Sequence, residues 1–423
     1  MEVFKFGGAT LKDATAIKQM GKMMHNYKVD TIVMVVSAFG KVTQMLEGIV
    51  QSKIHNQSYD DAIQELYDYH VTILQGLFED LPEQLLEELN LCKAQLASLP
   101  TSLDTIEAQE QLYSDTVSWG ENLSSKIIAA YLSNVGIPCQ WVDAGLYIKT
   151  HAGRMNAIVD QELTDAAITM NLAPQLSEHN MIVMAGFVAR SSEACYPTTL
   201  GKEGSDYTGA LLAASLQASA LRVWKDVPGI MTGDPKLFED VTTLKKVSYE
   251  RISAMAAYGA KVIHHNTISP LAINKIPLYV QSLTHEEEPG TVVTADVEDD
   301  PSVPIYIVQK DQVWVQLAAK EAAPLDEKSL HKVFISFMQA GIQINYLDIT
   351  APYITLCFTD DGIHSKYLLE NLKLHFQLKH KHNAALLTIM NFDKPVEEVK
   401  MLRHATVLGT ITRTKGVTQT VFV

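Results

Sequence analysis

A chain of 423 residues with 47% hydrophobic composition is long enough for two or three domains and apolar enough to give each a core. Its 34 basic and 49 acidic residues leave a formal charge of −15, which excludes general electrostatic attraction to nucleic acid or anionic membrane. The four cysteines (Cys92, Cys139, Cys195, Cys357) are too far apart for a Cys-x-x-Cys zinc site or a disulfide framework, so reduced core thiols are expected; without a leader or an apolar run near ~18 residues, so is a cytoplasmic location.

From the start of the chain to about residue 290, strand-like and helix-like runs alternate, which predicts an α/β fold: a largely parallel sheet with helices on both faces. The first strand, around Val3-Phe4, runs into Lys5-Phe6-Gly7-Gly8-Ala9-Thr10 and a helix expected near Leu11. Further strands are predicted at 31–36, 138–142, 181–187 and 220–224, and ligands in such sheets bind beyond the carboxyl ends of the strands. Between residues 51 and 100, Ile63, Leu66, Tyr67, Val71, Leu74, Leu77 and Phe78 recur at spacings of three and four, predicting an inserted helical subdomain whose apolar side chains serve packing. Acidic residues and prolines across 286–301 break the periodicity and separate a domain over 1–295 from one over 303–423. The second domain reads strand 313–318, helix 326–340, strands 344–349 and 353–358, helix 365–376 and strand 384–390, a ferredoxin-like βαββαβ order. Residues 396–423 add a short helix and a hairpin turning at Lys415-Gly416, too little for a second copy.

The chemistry concentrates where strands meet helices. In Gly201-Lys202-Glu203-Gly204-Ser205-Asp206-Tyr207-Thr208-Gly209, charged groups and hydroxyls sit among glycines before an apolar helix, a composition suited to an anionic ligand. Lys5 with Gly7 and Gly8 fits the same purpose, because glycines let backbone N–H groups approach phosphate and a helix N-terminus favours it. Alone, Lys-x-Gly-Gly reads equally well as a surface lysine by a flexible turn. Ser37 and Thr43 follow the second strand and suit either helix capping or carboxylate binding. Trp119-Gly120-Glu121 is expected just ahead of a helix, where Glu121 either favours the helix dipole or grips an ammonium. Residues 224–236, with Lys225, Asp226, Met231 and Lys236, read as a nucleotide loop or an ordinary Pro-Gly turn. Lys261 falls in an apolar helical context, where a buried lysine requires an anionic partner. Neither a P-loop nor a protein-kinase signature occurs, and no metal-ligand set is read.

Taken together, Lys5-Phe6-Gly7-Gly8, Val36-Ser37-Ala38, Gly120-Glu121, Gly186-Phe187, Thr199-Leu200-Gly201, Gly204-Ser205-Asp206-Tyr207, Asp226-Val227 with Asp234-Pro235, and Gly259-Ala260-Lys261-Val262 resemble the aspartate kinases of the amino acid kinase family over nearly the whole chain. The resemblance implies transfer of the γ-phosphoryl of MgATP to the side-chain carboxylate of L-aspartate, the first step toward lysine, threonine and methionine. It implies Lys5 and Asp206 as catalytic residues and Ser37, Thr43, Glu121, Lys202 and Ser205 around aspartate. Gly7, Gly8, Lys225, Asp226, Met231, Lys236 and Lys261 would line the nucleotide site, with Mg2+ held mainly by ATP oxygens and water. The C-terminal region then resembles an ACT regulatory module, open to an amino-acid effector and pairing the chain into a homodimer.

Three departures stand out. Lys202 replaces a customary arginine, Glu203 a customary glycine, and Ala9-Thr10 a customary Thr-Ser. Glu203, near an anionic substrate, must point away or pair, with Lys202 the adjacent cation. Two other readings compete: an amino acid kinase with a different acceptor, and an amino-acid sensor without catalysis. Gly120-Glu121, the helical insert and the attached ACT-like domain favour aspartate over the first; Lys5, Asp206 and Lys261 argue against the second.

Overall fold

The computed structural model describes residues 1–423 except 28, 202, 261–262, 264, 286–287, 298–302, 321–325, 392–399, 404 and 414–415. It divides into two compact units, Met1–Ile230 with Leu244–Ile252 and Ile263–Val297, and Met231–Thr243 with Ser253–Val262 and Glu298–Val423.

In chain order, β1 (Glu2–Phe6), α1 (Ala14–Asn26), β2 (Ile32–Val36), α2 (Val42–Ile54), α3 (Asp60–Leu77) and α4 (Glu83–Ala97) lead to the long α5 (Ile106–Asn134) and β3 (Gln140–Val142). There follow β4 (Lys149–Thr150), α6 (Gln161–Ala167), β5 (Met181–Ala185), β6 (Val188–Ser191), β7 (Pro197–Thr199), α7 (Gly204–Ser215) and β8 (Leu221–Lys225). Then come β9 (Lys246–Ser248), α8 (Tyr249–Ala257), α9 (His265–Ile273), β10 (Leu278–Ser282) and β11 (Thr291–Thr294). These strands form a sheet in the order β3-β5-β2-β1-β8-β10-β11-β9, parallel from β3 through β10, and a small sheet β4-β6-β7. Every residue of β2 and β5 is buried, as expected for strands covered by helices on both faces. The turns after β1 and β8, which are adjacent and parallel, therefore emerge at the same sheet edge.

Ile63, Leu66, Leu74 and Leu77 are buried along one face of α3, and Leu85, Leu89, Cys92 and Leu96 along one face of α4. The helix expected near Leu11 begins later: Gly8–Leu11 form a 3-10 turn, and α1 starts after Asp13, whose carboxylate accepts the Ala16 N–H at 2.8 Å. Gly259 lies in the turn after α8 with φ +85, while Lys261, for which a helical context was expected, is outside the described residues. Cys92 and Cys357 are buried free thiols as expected, whereas Cys139 is half-buried and Cys195 exposed.

The second unit contains β12 (Ile305–Ala319), α10 (Glu327–Ala340), β13 (Ile344–Thr350), β14 (Tyr353–Thr359), α11 (His364–His375), β15 (Phe376–Met390), β16 (Val407–Arg413) and β17 (Val417–Phe422). Its sheet runs β13-β14-β12-β15-β17-β16, the ferredoxin-like order of a βαββαβ unit extended by an antiparallel hairpin. Val313, Val315, Leu317, Leu356 and Phe358 on the sheet and Val333, Phe337, Leu368 and Leu372 on α10 and α11 form its core. Gly416, with φ +68, stands at the predicted hairpin turn, while Lys415 is outside the described residues. Among the described residues no helix is long and apolar enough to cross a membrane.

Candidate active site

Lys5 points inward from β1 and is only 4% exposed, a position that an ammonium tolerates only with an anionic partner. The partner is Asp206, in the first turn of α7 and fully buried, at 2.5 Å. Its second oxygen meets the Lys225 ammonium at 3.0 Å, and Lys225 also reaches the Glu203 carboxylate at 3.3 Å. Burial alone would raise Asp206, but Lys225 and Lys5 outweigh it and hold the carboxyl down at about 2. Lys225 is itself driven up: burial opposes its charge, and Asp206 and Glu203 more than compensate. Three elements thus deliver two fixed positive charges, oriented by one ionised carboxylate, to the edge where the turns after β1 and β8 emerge. Glu203 has Lys225 as a partner, and the adjacent Lys202 is outside the described residues.

The glycines are there for close approach. The Gly7 N–H and the Thr10 hydroxyl both donate to the Trp224 carbonyl, each at 3.0 Å, fastening the turn after β1 to β8. A side chain on Gly8 would run into the Ala38 carbonyl, and the Gly40 N–H donates to the Gly8 carbonyl at 2.9 Å. The turns after β1 and β2 are thereby one structure. Gly186, after β5, leaves the room that Ser205 fills. The neighbouring Phe187 adopts φ +65, a conformation that costs a non-glycine residue about 1–2 kcal/mol and that its N–H bond to the Thr208 hydroxyl at 3.1 Å helps to hold.

Trp119-Gly120-Glu121 lies in the middle of α5, not ahead of a helix. Glycine is placed there for packing: a Cβ on Gly120 would stand 2.9 Å from the Ala38 Cβ and 3.2 Å from Val42 Cγ1. That close crossing brings Glu121, 4% exposed, under the turn after β2, where the Ala38 N–H donates to its carboxylate. The Ser124 hydroxyl ties the same helix to the Ser37 carbonyl at 2.8 Å. Burial pushes Glu121 up to about 8 against the pull of Ala38 and Lys5, and its Oε2 has no hydrogen-bond partner among the described residues. A buried, unpartnered carboxylate oxygen is an unmet demand for a donor, which a ligand ammonium satisfies.

Of the remaining candidates, Ser37 sits partly exposed on the turn after β2 and Thr43 partly exposed in the first turn of α2, and Ser205 is buried beside Asp206. Asp226 is exposed just past β8. Met231 and Lys236 belong to the second unit, where Asp234 accepts the Lys236 N–H at 2.9 Å, and Lys261 is outside the described residues. Among the described residues no group of three or more His, Cys, Asp or Glu side chains could hold a metal ion.

The amino acid kinase family matches residues 1–282. Aspartokinase 1, chloroplastic, of Arabidopsis thaliana is 25% identical over 414 residues, spanning 96% of this chain and 71% of that protein. Lysine-sensitive aspartokinase 3 of Escherichia coli (strain K12) is 28% identical over 405 residues, spanning 92% and 87%. The crystal structure of E. coli aspartokinase III in complex with aspartate and ADP (R-state) matches with a TM-score of 0.84 at 22% identity, over 100% of this chain and 96% of that one, a likeness of fold.

Proposed function

Since the chain belongs to the amino acid kinase family, we propose that it is an aspartate kinase, transferring the γ-phosphoryl of ATP to the side-chain carboxylate of L-aspartate. One observation supports this above others: two lysines on a buried aspartate stand at the same sheet edge as a buried carboxylate with a free acceptor. The first arrangement suits a phosphoryl group and the second an amino acid, and the names of the relatives supply aspartate.

In the reaction a carboxylate oxygen bonds to the γ-phosphorus as the bond from that phosphorus to the bridging oxygen breaks, giving 4-phospho-L-aspartate and ADP with no proton transferred. Little covalent work falls to the protein, so charge and position dominate. Lys5 neutralises the transferred group, and Asp206 aims both lysines. Glu121 takes the substrate ammonium, and Ser37, Thr43, Lys202 and Ser205 hold its carboxylates. Gly7, Gly8, Lys225 and Asp226 serve the nucleotide. Mg2+, held by ATP oxygens and water, would screen the phosphate charge when bound. The same reading assigns catalysis to residues 1–295, with the product destined for lysine, threonine and methionine. Residues 303–423 become an ACT-like region that takes an amino-acid effector and pairs two chains.

Trapping acyl phosphate as hydroxamate, with MgATP and L-aspartate, L-glutamate, N-acetylglutamate or carbamate, tests the proposal. Product is expected with aspartate alone. Product with another acceptor replaces the substrate, and silence with all four, in protein that binds ATP, turns the chain into a sensor.

A further inference from the structure

Glu203 occupies the position before α7 with φ 56 and ψ 21, a left-handed conformation that glycine adopts freely and that costs another residue about 1–2 kcal/mol. A carboxylate kept at that cost needs a compensating contact, and the contact is the Lys225 ammonium at 3.3 Å. The four groups of this cluster are Lys5 on β1, Asp206 on α7, Lys225 on β8 and Glu203 itself, two positive and two negative. Their exposures differ sharply. The side chains of Lys5, Asp206 and Lys225 are 5%, 0% and 12% exposed, whereas that of Glu203 is 31% exposed. Glu203 is therefore the one member that can reach water without unburying a charge from the core. Its hold on the ionised form is weaker than that of Asp206: burial raises its pKa, Lys225 lowers it, and Asp206 raises it both by its charge and through a side-chain hydrogen bond, with a net rise, whereas Asp206 is driven the other way.

We propose that Glu203 is an internal stand-in for a ligand phosphate: it occupies the Lys225 ammonium in the empty site and yields it to a nucleotide phosphate oxygen. The inference rests on the ATP reading of the site. Among the described residues the cluster is neutral with Glu203 ionised and in place, and positive by one with Glu203 displaced, a difference that acts on every phosphate that binds. The carboxylate thus weakens phosphate binding in a charge-specific way, favouring release of product nucleotide, while it keeps Lys225 aimed when no ligand is present.

Isothermal titration of the full chain with MgADP and with adenosine tests this in the wild type, Glu203→Gln and Glu203→Gly. Gln preserves shape and removes the charge; Gly removes the charge and relaxes the backbone. Both variants are expected to bind MgADP on the order of tenfold more tightly and adenosine, which has no phosphate, unchanged. Equal or weaker MgADP binding in both variants overturns the inference, as does equal tightening toward adenosine, which would trace the effect to backbone or packing. A wild type that binds neither ligand overturns the ATP reading and this inference with it.

Discussion

A carboxylate that is 4% exposed, with one oxygen unpartnered, is held toward its neutral form, and burial places Glu121 at about 8. In the unfolded chain a glutamate titrates near 4.3. A folded value raised in this way contributes stability that is complete below the unfolded value and is lost as pH climbs toward about 8. Glu121→Gln keeps the volume and removes the titration. It is expected to match the wild type in thermal unfolding near pH 4 and to exceed it above pH 8, while binding aspartate more weakly. A substrate ammonium needs the ionised form, so wild-type aspartate affinity is expected to rise with pH up to about 8 and then level, whereas the variant stays flat. Titration calorimetry across that range decides it; a wild type without the slope would release Glu121 from the substrate site. Lys5 and Asp206 could be singled out in the sequence because a glycine two positions away, Gly7 or Gly204, marks each turn. The pairing of Glu203 with Lys225, 22 positions apart, could not, since neither spacing nor composition encodes an ion pair between a helix start and a strand end.

Between elements, the inserted α3 reaches back to the two turns that frame the site. The Tyr69 hydroxyl donates to the Lys12 carbonyl at 2.5 Å and lies against Gly40, whose φ of +51 and missing Cβ leave it room. His70, fully buried and kept neutral by burial, packs beside Phe39 at 6.3 Å between ring centres, with Nδ1 2.8 Å from the Leu66 carbonyl. One helical turn therefore braces the segment after β1 and the segment after β2. Tyr69→Phe removes a single hydrogen bond and is expected to cost about 1 kcal/mol of stability. If that brace positions Ser37 and Thr43, aspartate affinity falls as well; denaturant unfolding read alongside aspartate titration separates the two. Lost stability with unchanged affinity would confine α3 to supporting the fold. The periodicity of Ile63, Leu66, Leu74 and Leu77 announced the helix, because burial of a stripe leaves a period. Tyr69 left no trace: its partner is 57 positions away and is a backbone carbonyl, which any residue supplies. Gly120 misled for a related reason. A helix-interior glycine costs about 1 kcal/mol, so glycine reads as a boundary until the crossing of α5 over Ala38 and Val42 is seen.

Across the whole molecule, the strand and helix order of residues 303–423 could be read from alternation, but before residue 295 only β1, β2, β3, β5 and β8 were expected, and the lengths of β12 and β15 could not be read. Expected at 313–318 and 384–390, they run over Ile305–Ala319 and Phe376–Met390. The added halves include Lys379, His380, Lys381 and His382, and they are strand because their backbones pair, Gln316 with Lys379 and Val315 with His380, not because a face is buried. The six-stranded sheet so extended ends in two edges, β13 and β16. On β13, Ile349 is 53% exposed, and on α10 Phe334 and Met338 are 47% and 74% exposed. Open strand edges and neighbouring apolar side chains are what a second chain covers. At −15 the chain repels its copy at long range, so pairing has to come from such short-range burial and strengthen as salt screens the charge. Light scattering is expected to give twice the 46.8 kDa chain mass at moderate salt, with Ile349→Glu shifting the balance toward monomer. A monomer at all salt concentrations would leave these edges as solvent-facing strands and remove the homodimer from the proposed assembly.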